Sequence, residues 1–335
     1  MTTEVHAAPT PERIYQFAFG YAPPLVLEAA IRHRVFDVLD SGAKTVEEIH
    51  AATGASKRGL TAILNVLVGF DFLHKIGSQY SLAPESAAFL VSGKPGFQGG
   101  FIRHTSEQLL PNWLHLNEVV GTGLPAAAVN RQGPGSEFFH DFVNDIFPMS
   151  YPAAQELARH LALSGAVSVL DLAAGSGVWG IALAQGAPEA HVTAIDWHGV
   201  IGVTRNTVAR FGLTGRFTFQ EGDLLEADFG SGHNVATLGH ILHSEGADRS
   251  QALLRKTYQA LAPGGTIAIA EFLVNQDRTG PLHGLIFAIN MLVNTDSGDT
   301  YSFEEISAWL SDAGFVDART LPAPGASPLI LATRP

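Results

Sequence analysis

The 335-residue chain contains no cysteine, which excludes disulfide bonds, thiolate metal sites and a cysteine nucleophile. It also has few charged residues, 16% of the total, and acidic residues outnumber basic ones to give a formal net charge of −12. This negative net charge argues against a protein that binds the phosphates of nucleic acids non-specifically. No uninterrupted apolar run of about 18 residues occurs, so the sequence predicts no membrane span.

The N-terminal residues also lack the pattern of a signal peptide. Residues 1–9 show no basic segment followed by an apolar one, and the sequence therefore predicts no signal peptide. Together with the missing cysteines, this favours a cytoplasmic protein. Hydrophobic residues make up 46% of the chain, which is enough for a packed core, and the length suggests two domains or one domain with a large appendage.

The first hundred residues have a helical pattern followed by a hairpin. Apolar residues recur at helical spacing through residues 11–39. Thr45 and Glu48 have the spacing of a capping box, and Ser56 can cap the next helix. Residues 72–82 then predict a hairpin that turns at Gly77-Ser78. Three helices followed by a two-stranded wing are typical of a winged-helix domain.

The pattern changes near residue 165 to short apolar runs that alternate with helical segments. Such alternation is typical of a parallel sheet covered by helices on both faces, the doubly wound α/β architecture. A domain boundary is therefore expected near residue 160. The predicted strands are residues 167–172, 191–195, 235–238 and 266–270, with a last strand at 329–333 after a helix over residues 303–313.

The strand at residues 167–172 runs into a glycine-rich turn and then a helix. Gly175 and Gly177 would let a ligand approach the backbone closely, and the helix start offers free N–H groups. Asp171 precedes the turn, where a carboxylate would repel a pyrophosphate but can accept hydrogen bonds from the cationic aminoacyl part of S-adenosylmethionine. The turn therefore favours S-adenosylmethionine over a dinucleotide.

Two further acids follow later strands. Asp196 ends the second strand about 20 residues beyond the glycines, where an acid can bind ribose hydroxyls. Asp223 follows a third short strand and could accept from an adenine amine, and its neighbour Leu224 is assigned to the same site. Each acid taken alone could be an ordinary surface residue. Because ligands of such sheets bind at the carboxyl ends of strands, three acids at successive strand ends favour a cofactor site.

The order of these and later motifs resembles the small-molecule O-methyltransferase family related to the plant caffeate and flavonoid enzymes. The resemblance implies a Rossmann-like class I methyltransferase domain, a winged-helix dimerisation domain, a homodimer and S-adenosyl-L-methionine as cofactor. It is carried by residues 171–177, Asp196, Gly222-Asp223, Ile241-Leu242-His243, residues 261–265, Glu271 and Met291-Leu292. The domains are then expected at residues 1–100 (dimerisation), 101–160 (connecting helices that contribute to the acceptor pocket) and 161–335 (methyltransferase).

In that family a histidine deprotonates the acceptor hydroxyl, and the matching residue is His243. Histidine titrates near pH 6.5, so its neutral form can accept a phenol proton at physiological pH. Glu271 matches a family acid that orients the histidine and fixes its tautomer. The alternative for His243 is a structural histidine at a strand end. His240 is a weaker candidate, expected to pack or to contact the adenosine.

Several positions depart from the family pattern. Ser244 and Glu245 stand where the family has Asp-Trp after the histidine, and Gly239 stands where many members have Lys or Arg. A second family acid aligns with Thr300, with the neighbouring Asp299 as a possible substitute. These departures bear on the histidine-base mechanism more than on cofactor binding.

The acceptor pocket is expected between the carboxyl edge of the sheet and the helices before residue 160. Phe287 and Met291 on the apolar stripe could equally be core residues, whereas asparagines on such a stripe could hydrogen-bond a substrate carbonyl or hydroxyl. The assigned acceptor-binding residues are Phe147, Met149, Asn290, Met291 and Asn294.

The sequence thus predicts methyl transfer from S-adenosylmethionine to a hydroxyl of a small aromatic or polyketide-like acceptor. Two alternatives keep the fold: C- or N-methylation, and a rearrangement without methyl transfer. A third is a regulator that binds DNA through its winged helix, although Lys57 and Arg58 are the only basic residues of the expected recognition helix. The spacing of histidines and acids predicts no metal site.

Overall fold

The computed structural model describes residues 9–335, apart from the side chain of Asp141. Of the residues on which the prediction of no signal peptide rests, residues 1–8 lie outside the described part. The chain divides into two compact units, of which the first ends at Glu107 and the second begins at Gln108. Residues 108–160, expected to be connecting helices, belong to the same unit as the large sheet.

The first unit is mainly helical. Both predicted caps are present: Thr45 and Glu48 form a reciprocal capping box, and the Ser56 side chain accepts from the Gly59 N–H. Its core contains Phe36, Ile49 and Leu64 among other buried apolar residues. The helices are α1 (Glu12–Ala18), α2 (Ala22–Arg32), α3 (Val35–Leu39), α4 (Val46–Thr53), α5 (Lys57–Gly69), α6 (Pro84–Phe89) and α7 (Gly99–His104).

A small antiparallel sheet completes this unit. Its strands are β1 (Lys44–Thr45), β2 (Leu73–Ile76) and β3 (Gln79–Leu82), in the order β1-β3-β2. The hairpin between β2 and β3 turns at Gly77 and Ser78, as the sequence predicts, and Gly77 has a φ of 60°. The winged-helix prediction is therefore confirmed.

The second unit contains seven strands and nine α-helices among its described residues. The strands are β4 (Ser168–Leu172), β5 (His191–Asp196), β6 (Phe217–Glu221), β7 (His233–Gly239), β8 (Leu261–Ala270), β9 (Val316–Leu321) and β10 (Leu329–Thr333). The helices are α8 (Leu110–Trp113), α9 (Leu116–Thr122), α10 (Gln132–Asp145), α11 (Phe147–Leu161), α12 (Val178–Gly186), α13 (His198–Arg210), α14 (Leu242–Ala260), α15 (Leu282–Asn294) and α16 (Phe303–Ala313). A 3₁₀ turn lies at Thr214–Arg216, and a π-helical turn at Thr105–Leu109 contains the last residues of the first unit and the first residues of the second.

The seven strands form one sheet in the order β6-β5-β4-β7-β8-β10-β9. Strands β6, β5, β4, β7 and β8 are parallel, as predicted. The sheet is mixed at one edge, where the sequence predicts no strand direction, because β10 runs antiparallel to β8 and β9 antiparallel to β10. A hairpin joins β9 to β10, and strands joined in that way must be antiparallel. The doubly wound α/β class is confirmed, with a mixed edge.

Side chains alternate between two cores along the central strands. Val169 of β4 faces a core shared with α11, α12 and α13, whereas Leu170 and Leu172 face a core shared with α14 and α16. Both faces of the sheet are therefore covered, and ligands can enter only at its edges or strand ends. Within residues 9–335, no helix combines the length and the apolar character needed to cross a bilayer.

Candidate active site

The turn between β4 and α12 is built around a buried carboxylate. Asp171 is fully buried; its Oδ2 accepts from the Gly180 N–H at 2.9 Å, and its Oδ1 accepts from the Thr237 hydroxyl at 2.7 Å. Burial raises the pKa of Asp171 to about 7 against the lowering effect of these hydrogen bonds. The structure thus shows Asp171 tying the start of α12 to β7, and its direct contact with a ligand stays a prediction.

Two glycines of the turn adopt backbone conformations that favour glycine. Gly175 has a φ of 55° and Gly177 a φ of 77°, both in the left-handed region. Gly177 is also packed closely, since a Cβ there would lie 3.0 Å from a methyl carbon of Thr204. The Thr204 hydroxyl donates to the Gly175 carbonyl at 2.6 Å and holds the turn from the side of α13.

Asp196, at the end of β5, contacts the same turn. Its Oδ2 accepts from the Gly175 N–H and its Oδ1 from the Trp197 N–H, both at 2.7 Å. Burial raises the pKa of Asp196 to about 6 despite both hydrogen bonds. Each carboxylate oxygen has a lone pair beyond these bonds, so Asp196 can accept from a ligand's hydroxyls. Asp171, Gly175, Gly177 and Asp196 are called the glycine corner below.

Asp223 has a protein partner of opposite charge. Arg249 of α14 donates to both of its carboxylate oxygens, at 3.1 and 2.9 Å, and the Leu225 N–H donates to Oδ1 at 2.9 Å. Lys256 of the same helix donates to the carbonyls of Leu224, Leu225 and Ala227. The loop that carries Asp223 and the buried Leu224 is therefore fastened to α14.

The predicted base and its partner meet at the ends of β7 and β8. His243 Nδ1 lies 2.7 Å from Glu271 Oε2, and the His243 backbone N–H donates to Oε1 at 3.2 Å. Burial alone would raise the pKa of Glu271, but the adjacent His243 and its hydrogen bonds hold that pKa below its usual value. With Nδ1 protonated toward an ionised Glu271, His243 Nε2 carries a free lone pair.

Aromatic rings surround this dyad. Phe287 of α15 meets the His243 ring edge-on at 4.9 Å between centroids, and Phe272 lies 4.1 Å from Phe287. We call His243, Glu271, Phe272 and Phe287 the histidine corner. The His240 ring packs against Phe272 in a tilted arrangement at 4.9 Å between centroids, and burial lowers the pKa of His240 to about 4, so its ring is neutral.

The sequence predicts no metal site, yet the structure brings three potential ligands together here. One donor atom each from His240, His243 and Glu271 lie within 4.8 Å of one another. Two of the three are already joined in the imidazole–carboxylate hydrogen bond. Glu271 is far from the two histidines in the sequence, so the local spacing of potential ligands could not predict this group.

The predicted acceptor residues separate into two places. Asn290 and Asn294 lie buried on α15; Asn290 Oδ1 accepts from the Trp113 indole at 2.8 Å, and Asn294 Oδ1 accepts from Asn112 at 2.7 Å. Buried Met291 lies on the same helix as Phe287 of the histidine corner.

Phe147 and Met149 lie at the start of α11 instead. Phe147 stacks on Tyr151 and Phe211, with centroids 5.0 and 5.4 Å away, and it packs against the core that α11 shares with α12 and α13. Met149 is half-buried on the same helix. The contacts described for Phe147 are those of a core residue, and acceptor contacts for both residues stay predictions.

The positions that depart from the family pattern have defined surroundings. Thr300 is buried and its hydroxyl donates to the Gly284 carbonyl at 3.3 Å, whereas Asp299 is exposed and its backbone N–H donates to the His243 carbonyl at 2.9 Å. Asp299 thus supports the backbone of His243. Glu245 is buried and accepts from Arg249 Nε, and burial raises its pKa.

Sequence reasoning missed two residues that organise the site, Thr237 and Arg249. Thr237 lies within an apolar strand, where nothing in the sequence marks it as a site residue. It contacts Asp171 because the parallel register of β4 and β7 pairs these two positions. Arg249 did carry a signal, because it follows Glu245 by four residues, the spacing of a helical ion pair, and the pair forms although α14 is kinked between them at Gly246 (φ 78°).

Comparison with known proteins agrees with this geometry. Residues 107–316 match the model of the O-methyltransferase domain, and residues 15–92 match that of the O-methyltransferase dimerisation domain. The human N-acetylserotonin methyltransferase, solved in complex with S-adenosylmethionine, has the same fold: the TM-score is 0.86 at 23% identity, and 99% of both chains is covered.

Three relatives from Streptomyces align over nearly their whole length. The 3-hydroxy-5-methyl-1-naphthoate 3-O-methyltransferase of Streptomyces sahachiroi is 29% identical over 96% of this chain and 94% of its own. The tetracenomycin polyketide synthesis 8-O-methyl transferase TcmO of Streptomyces glaucescens is 27% identical over 100% of both. The N,N-dimethyltransferase OxyT of Streptomyces rimosus is 26% identical over 94% of this chain and 93% of its own.

Proposed function

This chain belongs to the O-methyltransferase family, and from that premise we propose that it methylates a hydroxyl group of a small aromatic or polyketide-like acceptor. The observation that carries the proposal is the 2.7 Å contact between His243 Nδ1 and Glu271, which leaves His243 Nε2 available as a base. The naphthoate and polyketide methyltransferases among the relatives support an acceptor of this class.

S-adenosyl-L-methionine is the methyl donor, and the glycine corner fits it. The cofactor carries ribose hydroxyls that need acceptors, and Asp196 offers carboxylate oxygens with spare lone pairs beside a glycine-lined turn. We assign Asp196 to the ribose, Asp223 and Leu224 to the adenine, and Gly175 and Gly177 to close backbone contact. Asp171 holds the turn in shape through Gly180 and Thr237.

When bound, the cofactor supplies a methyl group on a positively charged sulfur. His243 Nε2 would take the proton of the acceptor hydroxyl and leave an oxygen nucleophile for the methyl group, whose bond to sulfur would break as the sulfur keeps the electron pair and loses its charge. Glu271 keeps the proton of His243 on Nδ1 and stabilises the imidazolium that forms. Because Glu271 is 3% exposed, water competes little for its carboxylate.

The aromatic faces around His243 suit a flat acceptor. Phe272 and Phe287 lie beside the imidazole, and aromatic rings stack or meet edge-on with further rings at 4.5–7 Å, as a general preference. Asn290 and Asn294 are committed to Trp113 and Asn112 through their carbonyl oxygens, so we assign them to the wall of the pocket. Met291 is assigned to the same wall.

We also propose a homodimer formed through the first unit. Five large side chains of α1 and its connection to α2 are more than half exposed, which is unusual for the surface of a monomeric protein. They are Ile14, Tyr15, Phe17, Phe19 and Tyr21. The match to a dimerisation domain supports burial of this face by a second copy.

Light scattering tests the homodimer. The wild type should have a mass of about twice 35.5 kDa, and a variant that carries both Phe17→Asp and Ile14→Asp should be monomeric. A monomeric wild type would contradict the proposal.

N-methylation is a second candidate, because OxyT is an N,N-dimethyltransferase that aligns over 94% of this chain. Ser244 and Glu245 replace the family's usual residues after the histidine, beside the base. A neutral aromatic amine needs no prior deprotonation, so such a reaction would not need His243 as a base.

A panel of acceptors tests both candidates. The enzyme is incubated with S-adenosylmethionine and matched phenols, anilines and carbon-nucleophilic resorcinols, and each product is located by mass spectrometry and NMR. We expect methyl ethers from the phenols. N-methyl or C-methyl products without methyl ethers would contradict O-methylation, and no product with any acceptor would contradict methyl transfer to small aromatics.

A further inference from the structure

The indole of Trp179 occupies an unusual place at the carboxyl end of β7. A Cβ on Gly239 would lie 1.9 Å from Trp179 Nε1 and 2.5 Å from Cδ1. The N–H edge of the indole therefore lies directly over the backbone of Gly239, in the space that a side chain at that position would fill. Trp179 itself belongs to the first turn of α12, immediately after the glycine-rich turn. The indole thus links the start of α12 to the end of β7.

The indole N–H has no hydrogen-bond acceptor among residues 9–335, although Trp179 is only 4% exposed. Two fully buried side-chain atoms of the described residues lack a partner, His240 Nδ1 and Ser307 Oγ, and Trp179 Nε1 is not one of them. An N–H with neither a partner nor complete burial reaches accessible surface. Because tryptophan offers a donor and no acceptor, this atom suits an anionic or carbonyl oxygen.

A carboxylate bound here would meet no lysine or arginine from the two adjacent segments, since residues 171–181 and 237–243 contain neither. Their remaining side-chain donors are few. Thr237 is bonded to Asp171 and His243 Nδ1 to Glu271, and His240, which burial keeps neutral, carries no positive charge for a carboxylate and has its Nδ1 buried away from ligands. Apart from the second ring nitrogen of His240, the side-chain donors of Ser176 and Trp179 remain.

The covalent structure of S-adenosylmethionine indicates which part of it lies next to Trp179. The strands lie in the order β5-β4-β7, with Asp196 at the end of β5 and His243 after β7. With the ribose at Asp196 and the reacting methyl group beside His243, the aminoacyl group, attached to the same sulfur as that methyl, belongs at the ends of β4 and β7. Trp179, whose indole N–H reaches accessible surface, is a donor without a partner among the described residues at that junction.

We propose that the Trp179 indole N–H binds the carboxylate of the aminoacyl group of S-adenosylmethionine. Trp179 thereby supplies a neutral donor at a place where the backbone of Gly239 carries no side chain. This inference rests on the proposed placement of the cofactor over the glycine corner. It makes Trp179 and Gly239 a matched pair, because the indole can take this position only above a glycine.

Calorimetry with two ligands tests the pairing, since S-adenosylmethionine and its decarboxylated form differ only in the carboxylate. A hydrogen bond to a charged group corresponds to roughly 10- to 100-fold in affinity. We expect Trp179→Phe to weaken S-adenosylmethionine by about 10-fold or more, and the decarboxylated ligand by less than about twofold. Gly239→Ala should show the same selective loss because its methyl group displaces the indole. Trp309→Phe, the same change on α16, is the matched control and should leave both affinities unaltered.

A spectroscopic measurement on the wild type guards against a variant that folds poorly. The chain has four tryptophans, so its ¹⁵N spectrum contains four indole N–H signals. The Trp179 signal is identified by its absence in Trp179→Phe, or by elimination with the other three variants. It should shift downfield with S-adenosylmethionine and stay in place with the decarboxylated ligand.

Three results would overturn the inference. They are an equal loss for both ligands in Trp179→Phe, an unchanged affinity for S-adenosylmethionine in that variant, and a selective loss that appears in Ser176→Ala instead. A wild-type protein that binds neither ligand would contradict the cofactor placement itself. Wild-type binding with an unresponsive Trp179 would overturn only the role of the indole.

Discussion

The glycine corner and the histidine corner both contain buried carboxylates, yet the two regions balance the charge differently. Asp171 and Asp196 receive hydrogen bonds only from backbone N–H groups and a threonine hydroxyl, and burial raises their pKa values to about 7 and about 6. Glu271 is also buried but lies against His243, which holds the pKa of Glu271 below its usual value despite that burial.

The difference indicates which part of the site is complete before a ligand binds. The histidine corner contains its own partner for the carboxylate, so the base is oriented in the free protein. In the glycine corner, burial disfavours the charged form of Asp196, and its carboxylate oxygens have lone pairs without a donor. Hydrogen bonds from ligand hydroxyls would stabilise that charged form. One corner is preorganised for proton transfer, and the other gains most from the bound cofactor.

The largest expected effect comes from removing the base. His243→Ala should lower single-turnover methylation of a neutral phenol by about 10²–10⁴ and leave cofactor affinity nearly unchanged. With an acidic phenol, ionised at the assay pH, the loss should shrink because no proton has to be removed. His160→Ala, an exposed histidine on α11, serves as the control. Equal small losses for both phenols would mean that His243 only shapes the pocket.

The next effect concerns the glycine corner. Asp196→Ala should weaken binding of the product cofactor S-adenosylhomocysteine by roughly 1.5–3 kcal/mol, because the ribose hydroxyls lose a charged acceptor. The Gly175 N–H also loses its partner, so part of the cost arises from the turn. Calorimetry measures the change, with Asp228→Ala, an exposed acid that follows β6, as the control. Affinity within twofold of the wild type would remove Asp196 from the site.

The raised pKa of Asp196 makes this affinity depend on pH. The carboxylate form accepts ribose hydroxyls, and as the pH falls through about 6 the free protein becomes protonated at this position. Binding of S-adenosylhomocysteine should therefore weaken by about 10-fold between pH 7.5 and pH 5, where roughly a tenth of the carboxyl remains ionised. Asp196→Asn should abolish the dependence. The same slope in that variant would assign the titration to another group.

Local signals in the sequence accounted for much of the fold. The capping box at Thr45, the hairpin turn at Gly77 and the last strand were predicted correctly because each depends on neighbouring residues. Strand β9 (Val316–Leu321) was missed, since its mostly exposed residues carry no apolar run. Proximity of Asp196 to the glycine turn followed from the rule for strand ends.

The partners of the acids could not be predicted in the same way. Asp171 and Thr237 are 66 residues apart in the chain and meet only through the parallel register of β4 and β7. The indole of Trp179 over Gly239 depends on the same register, because the two residues lie on different elements. Arg249 reaches Asp223 across 26 residues from a helix that follows the next strand. Tertiary pairings of this kind decide which acids are free for a ligand.

The smallest expected effect concerns Asp223, which resembles the histidine corner more than the glycine corner. Arg249 already supplies a positive charge, with its Nη2 2.9 Å from Asp223 Oδ2, so the carboxylate gains less from a ligand than Asp196 does. A single hydrogen bond to the adenine amine should contribute about 1 kcal/mol, and Asp223→Ala should weaken S-adenosylhomocysteine by only about three- to tenfold.

A change in the ligand separates that hydrogen bond from a rearranged loop. S-inosylhomocysteine carries an oxygen in place of the adenine amine, so it lacks the donor that Asp223 is proposed to bind. If the contact exists, the wild type should bind this analogue more weakly than S-adenosylhomocysteine, and Asp223→Ala should bind the two with nearly equal affinity. Independent, additive losses would instead show that Asp223 only fastens its loop to Arg249. Lys256 donates to backbone carbonyls of the same loop and makes no hydrogen bond to the Asp223 carboxylate. Lys256→Met is therefore the control for loop movement, and it should weaken the binding of both ligands equally.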